Sequence, residues 1–158
     1  MELDRIDCRI LDWLQRQGRI TNAELAEQVN LSPSACLRRV QRLEAAGVIS
    51  GYAAQVDAKA VGLGLQAFVR VLLKQHDTAT IERFVDQVTG WDEVVACHAL
   101  TGEMDYLLHV YVTDLEHFSR FLLDQLLTTA GVSDVNSSFV LRTVKRSPAL
   151  SLKQLDGH

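Results

Sequence analysis

Ser32-Pro33-Ser34-Ala35-Cys36-Leu37-Arg38-Arg39-Val40-Gln41-Arg42-Leu43-Glu44-Ala45-Ala46-Gly47 reads as one helix with clear ends, and the chain is organised around it. Ser32 can accept a hydrogen bond from a free amide of the first turn. Pro33 suits the first helical position, where no amide donor is needed. Gly47 supplies a left-handed stop. At ~100° per residue, Cys36, Leu37, Val40 and Leu43 fall on one arc, and Ala35, Arg38, Arg39 and Arg42 gather opposite. The expectation is a core face backed by an exposed basic face.

Working outward, Asp4 can cap a first helix whose Ile6, Ile10, Leu11 and Leu14 keep the helical period, with Trp13 alongside and Gly18 as the stop. Thr21 and Glu24 form a capping-box pair, in which each side chain serves the other's backbone amide. They open a second helix with Leu25, Ala26 and Val29 inside. Asn30-Leu31 leaves only a tight turn before Ser32, which is the spacing of a helix-turn-helix. Val48-Ile49-Ser50-Gly51-Tyr52 is β-prone and fits a wing. Residues 53–65 read as a linker that could pair as a strand with another copy.

Beyond the linker the periodicity changes. Residues 66–75 alternate Ala67, Val69, Val71 and Leu73 with Phe68, Arg70, Leu72 and Lys74, as a strand does. Ile81, Phe84, Val85 and Val88 give a helix over 78–89. Strands over 93–100 and 104–113 join through Thr101-Gly102-Glu103 as a hairpin. A second helix runs from Asp114 to about Thr128 with Leu115, Phe118, Leu122 and Leu126 inward, and a last strand spans 132–144. The order βαββαβ is the ferredoxin-like split unit, with helices on one face of its sheet. At ~80 residues its core is small, so association through the open face is expected. The fold class is therefore α+β: an N-terminal winged helix-turn-helix over 1–52, a linker over 53–65, a βαββαβ domain over 66–146 and a loosely ordered tail over 147–158.

Composition narrows the function. The 158 residues are 47% apolar and 23% charged, which fits a globular protein. No apolar run is long enough to span a membrane, so a cytoplasmic protein without a membrane partner is expected. Cys8, Cys36 and Cys97 are too far apart for a Cys-x-x-Cys pair, and His76, His98, His109 and His117 lack metal-ligand spacing. Neither a metal nor a cofactor is expected. The net charge of −4 argues against indiscriminate coating of nucleic acid. Residues 1–52 carry seven arginines and seven acids, while 53–158 carry nine bases and thirteen acids, so the deficit lies wholly in the second part.

Two constellations carry chemistry. A helix led by Ser32 and Ser34, with Arg38, Arg39 and Arg42 behind, suits a major groove: leading residues approach base edges while guanidinium groups hold phosphates or a guanine edge. The competing reading is a solvated arginine face or a protein-binding surface. In the hairpin, Gly102 permits close backbone approach and Asp105 offers a negative charge. Together they would fit an α-amino acid, although the residues alone favour an ordinary hairpin with a solvated Asp105. No Ser-His-Asp, paired-carboxylate or phosphate-loop arrangement stands out.

The run from Asp4 to Gly51, with Ile10-Leu11, Leu25-Ala26, Val29, Leu31-Ser32, Arg38-Arg39-Val40, Leu43 and Gly47-Val48-Ile49, resembles the Lrp/AsnC (feast/famine) family of transcription regulators. Thr101-Gly102-Glu103-Met104-Asp105-Tyr106-Leu107-Leu108 is similar to the turn that marks the family's effector domain, and the likeness spans residues 2–146. The resemblance implies a regulator that binds double-stranded DNA and answers to an amino acid or related small molecule. It implies a homodimer formed through the sheet, which assembles further, up to an octamer. By position, Gly102, Asp105 and Tyr106 would form the effector site with Thr101, Glu103 and Met104 beside them. Asn136, Ser137 and Ser138 of an adjoining subunit and His98 are further candidates, each also readable as an ordinary sheet residue. Sirohaem decarboxylases resemble the same architecture and are the enzyme alternative. The acidic hairpin and the retained arginines favour a regulator with no catalytic residues.

Overall fold

A computed structural model describes residues 2–147 and 149–155, which divide into two compact units. One holds the chain up to Gln55 together with the segment from Val144 onward; the other is Val56–Thr143.

The first unit contains α1 (Arg5–Arg16), α2 (Asn22–Val29) and α3 (Pro33–Ala45). Each helix start is a side-chain cap. Asp4 and Asp7 form one capping box, Thr21 and Glu24 a second, and Ser32 Oγ accepts from the Ala35 amide. In the second box the Thr21 amide and hydroxyl hold the Glu24 carboxyl below its ordinary range. Asn30 takes the left-handed conformation (φ 57°) that turns α2 into α3. At the end of α3, Gly47 (φ 71°) lets its own amide reach Glu44 O and the Val48 amide reach Leu43 O, the paired closure of a Schellman motif. α1 stops at Arg16, where the Gln17 amide bonds Trp13 O, two residues before Gly18. Ile10, Leu11, Leu25, Ala26, Val29, Cys36 and Leu43 make the buried centre.

Two expectations need correction here, the inward placing of Leu37 and the looseness of the tail. Leu37, expected inside, is 45% exposed. It lies about 100° from Cys36 around the helix, whereas Arg39 lies only about 60° away on the other flank, so Arg39 is drawn under α1 instead. The β-prone run after Gly47 lies against the helices at the wing position, as expected: Ile49 packs on the core and Tyr52 donates to Glu44 at 2.9 Å, although among the described residues the run joins no strand ladder. The tail is not loose over Ala149–Lys153. Gln15 accepts from the Leu150 amide (2.6 Å) and donates to its carbonyl (3.2 Å), and Leu152 packs against the helical core. The tail and α1 wall a cleft of about 1080 Å³, and apart from Asp4 none of the residues discussed so far as caps or arginines of α3 lines it.

The second unit is an antiparallel sheet in the order β2-β3-β1-β4, built from β1 (Leu65–Leu73), β2 (Val94–Ala99), β3 (Tyr106–Val112) and β4 (Val132–Phe139). α4 (Thr78–Val88) and α5 (Leu115–Arg120) cover one face. That face buries Ala67, Val69, Val71 and Leu73 with Leu108, Val110 and Val112 against Phe84, Phe118 and Phe121. β4 ends at Phe139 rather than 144. The second helix also departs from expectation: after Arg120 it widens into a π-helical stretch, Phe121–Leu126. Five residues apart, Phe121 and Leu126 would sit about 140° apart on an α-helix. The wider turn lets both be fully buried, and Leu115 is left outside. No described helix is long and apolar enough to cross a membrane.

Candidate functional site

α3 is fixed at its start by Asn22, whose Nδ2 donates to Pro33 O at 2.8 Å and so ties the first residue of α2 to that of α3. Ser32 and Ser34 stand exposed there, their hydroxyls 3.3 Å apart. The three arginines divide. Asp7, 0% exposed, accepts from Arg39 Nη1 at 2.8 Å and Arg42 Nη2 at 2.5 Å, and its other donor is the Asp4 amide. Arg39 Nη1 also reaches Asp4 at 2.7 Å, leaving the Arg39 side chain 26% exposed against 49% for Arg42. The Asp7 amide and then the Arg39 guanidinium hold the Asp4 carboxyl below its ordinary value. Arg38 alone of the three is exposed with no ion pair among the described residues.

The arginine face is thus a clamp on one side and a free cation on the other. Sequence reasoning missed the clamp because its carboxylate comes from α1, about thirty residues away. The signal available was Asp4-x-x-Asp7, an acid at the third position after a capping acid. It also missed Gln41, exposed on the outward face with Leu37.

In the second unit the turn 101–105 lies at the end of the β2–β3 hairpin. Gly102 has φ 118°, a conformation side chains avoid. Thr101 and Glu103 are exposed, and Met104 is half-buried. Asp105 is anchored rather than solvated: its amide donates to Val71 O, its carbonyl accepts from Leu100, and Oδ2 accepts from the Leu73 amide at 2.7 Å. Oδ1 lies 2.8 Å from His76 Nε2. Tyr106 is buried in the helix-covered core, its ring centroid 4.7 Å from that of Phe84. Burial, then Cys97 and Asp105, push its phenol above the ordinary value.

The remaining candidates lie elsewhere on the sheet. His98 pairs with Leu107, Leu107 with Arg70, and Arg70 with Asn136, one row across four strands. At ~4.8 Å per strand, His98 and Asn136 are about 14 Å apart. Ser138 shares the open face with Asn136, and Ser137 is on the covered face opposite Val69. Within one chain, then, Thr101–Asp105 form the turn, His98 lies on the adjoining end of β2, and Asn136, Ser137 and Ser138 lie on β4 at the far side of the sheet. Among the described residues no group of three or more His, Cys, Asp or Glu is placed to hold a metal.

A capped helix-turn-helix beside a separate ferredoxin-like sheet defines a class: DNA-binding regulators that carry their own ligand-binding domain. Comparison with known proteins narrows it. Residues 3–50 match the winged helix-turn-helix DNA-binding model, and residues 66–150 match the Lrp/AsnC ligand binding domain. The chain is 43% identical over 145 residues to the leucine-responsive regulatory protein of Rhizobium meliloti, covering 92% of this chain and 93% of that one. It is 40% identical over 152 residues to that of Escherichia coli K12, covering 96% and 93%. A transcriptional regulator from Neisseria meningitidis, solved as its L-Met complex, superposes with a TM-score of 0.94 at 49% identity, covering 98% and 99%. The chain belongs to the Lrp/AsnC family of transcriptional regulators. It is a DNA-binding regulator and not an enzyme, and nothing favours the tetrapyrrole decarboxylase alternative.

Proposed function

We propose that the chain reads operator DNA through α3, with Ser32 and Ser34 approaching base edges and Arg38 as its free cation. The observation that carries this is the division of the arginines: Asp7 holds α3 in place through Arg39 and Arg42, and leaves Arg38 outward. Arg42, half exposed, stays within reach of a phosphate, while Arg39 acts as the clamp. Replacing Arg38 by Ala lowers DNA affinity and reduces the slope of log K against log salt by about 1 per half-site, the share of one phosphate contact, and so by about 2 for a dimer on a palindrome. Retained affinity with an unchanged slope in salt-dependent binding removes Arg38 from the interface.

Two α3 helices in a dimer would enter successive major grooves about 34 Å apart on a roughly palindromic site. The open sheet face supports dimerisation there: Phe68 is exposed, its ring stacked on His109 with centroids 4.6 Å apart, and Tyr111 is beside them. Light scattering at micromolar concentration should give a dimer or a multiple of one, up to the octamer; a stable monomer overturns this part.

The effector in this reading is an amino acid or a related compound held at Thr101–Tyr106, with His98 of the same chain and Asn136, Ser137 and Ser138 of an adjoining subunit as outer candidates. Support comes from the relatives named for a leucine response and from the L-Met bound by the Neisseria meningitidis regulator. Such a ligand acts only by preferring one assembly or orientation over another.

A further inference from the structure

We propose that Leu37 is a specificity-determining residue of α3 that packs on a thymine C5-methyl group in the major groove. This rests on α3 being the DNA-reading helix, and it goes further by assigning a base.

Among the described residues of α1, α2 and α3, Leu37 is the one large apolar side chain exposed beyond a third of its surface. A single exposed Leu is unremarkable in itself. Its setting is what distinguishes it. Ser34, Leu37 and Gln41 lie three and four residues apart and form one stripe, with Arg38 alongside, on the side of the helix away from buried Cys36 and Leu43. An apolar group ringed by Ser34, Arg38 and Gln41 is too small a patch for a protein partner, since such patches extend over hundreds of Å². It does match a major-groove edge. There the thymine methyl is the one apolar feature and stands among hydrogen-bonding atoms that hydroxyl, guanidinium and amide groups address. Leu37 also follows Ser34 by about one turn, in the N-terminal half of the helix whose leading residues reach base edges. Burying one methyl changes affinity about fourfold, so a palindrome read twice changes it about 15-fold.

The test uses the full-length protein in its own assembly state. A duplex is selected by the wild type from a random-sequence library, then prepared with thymine or with deoxyuridine, which lacks the methyl, throughout the bound site. Wild type should bind the uracil duplex about fourfold more weakly per half-site. Leu37→Ala should bind the thymine duplex more weakly by the same factor and fail to distinguish the two. Because Leu37 is exposed and Ala favours helix, the variant should keep the wild-type melting temperature. If Leu37→Ala discriminates as wild type does, or if wild type binds both duplexes equally, the assignment of Leu37 is wrong. If no sequence is enriched, the reading of α3 itself fails, and Leu37 with it.

Discussion

Replacing Asp7 by Ala should unfold the helical unit well before the sheet unit, lowering its stability by about 3 kcal/mol. Asp7 is fully buried and is the shared acceptor for Arg39, Arg42 and the Asp4 amide. Truncation removes the charge that two guanidinium groups were placed to meet and opens the capping box of α1. Both arginines keep some contact with water, which holds the loss to the lower part of the range for broken buried pairs. A unit of roughly seventy residues has only a few kcal/mol in reserve. Urea denaturation followed by circular dichroism should therefore show an early helical transition absent from wild type. Asp7→Asn, which preserves shape and one acceptor, should fall between. A midpoint unchanged in Asp7→Ala would mean that the cluster is not a clamp. Arg38→Ala should leave stability as it is, which separates the arginine that positions α3 from the one that faces outward.

What the sequence made legible follows the range of the interactions. Thr21 with Glu24, Ser32 with Pro33, and the alternation through Val69, Val71 and Leu73 act within a few residues, and the structure contains each of them. The helix-turn-helix and the βαββαβ order followed from those signals. Three features depended on distant partners. Arg39 and Leu37 occupy flanks of α3 that simple arc-sorting gives to the opposite sides, and only the presence of Asp7 decides which is covered. The widening at Phe121–Leu126 answers a packing demand of the sheet above it. The tail is held by Gln15, 135 residues away from Leu150. The candidate effector turn was found through its glycine and acid, but the anchoring of Asp105 by Leu73 and His76 needed the fold.

That anchoring shapes the effector prediction. Asp105→Ala would confound two losses, because the Leu73 amide loses its acceptor at the same time as the site loses its charge. Asp105→Asn separates them. Its amide oxygen can still accept from Leu73 while the negative charge is gone, so the hairpin should keep its place and the melting temperature should change little. Binding of an α-ammonium should fall about 10- to 100-fold, the share of a hydrogen bond to a charged group. His76 supplies the complementary arm. It is 64% exposed and lies against Oδ1, whereas Asp105 is 20% exposed, so an incoming ammonium can displace the imidazole without unseating the carboxylate. A carboxylate oxygen has two lone pairs, and Oδ2 can serve Leu73 throughout. His76→Ala should then bind an amino acid as well as wild type or better. Calorimetric titration of a panel of amino acids into the full-length variants checks both arms. An undiminished response in Asp105→Asn takes Asp105 out of the site, and a loss in His76→Ala equal to that in Asp105→Asn makes the imidazole a part of the site rather than its placeholder.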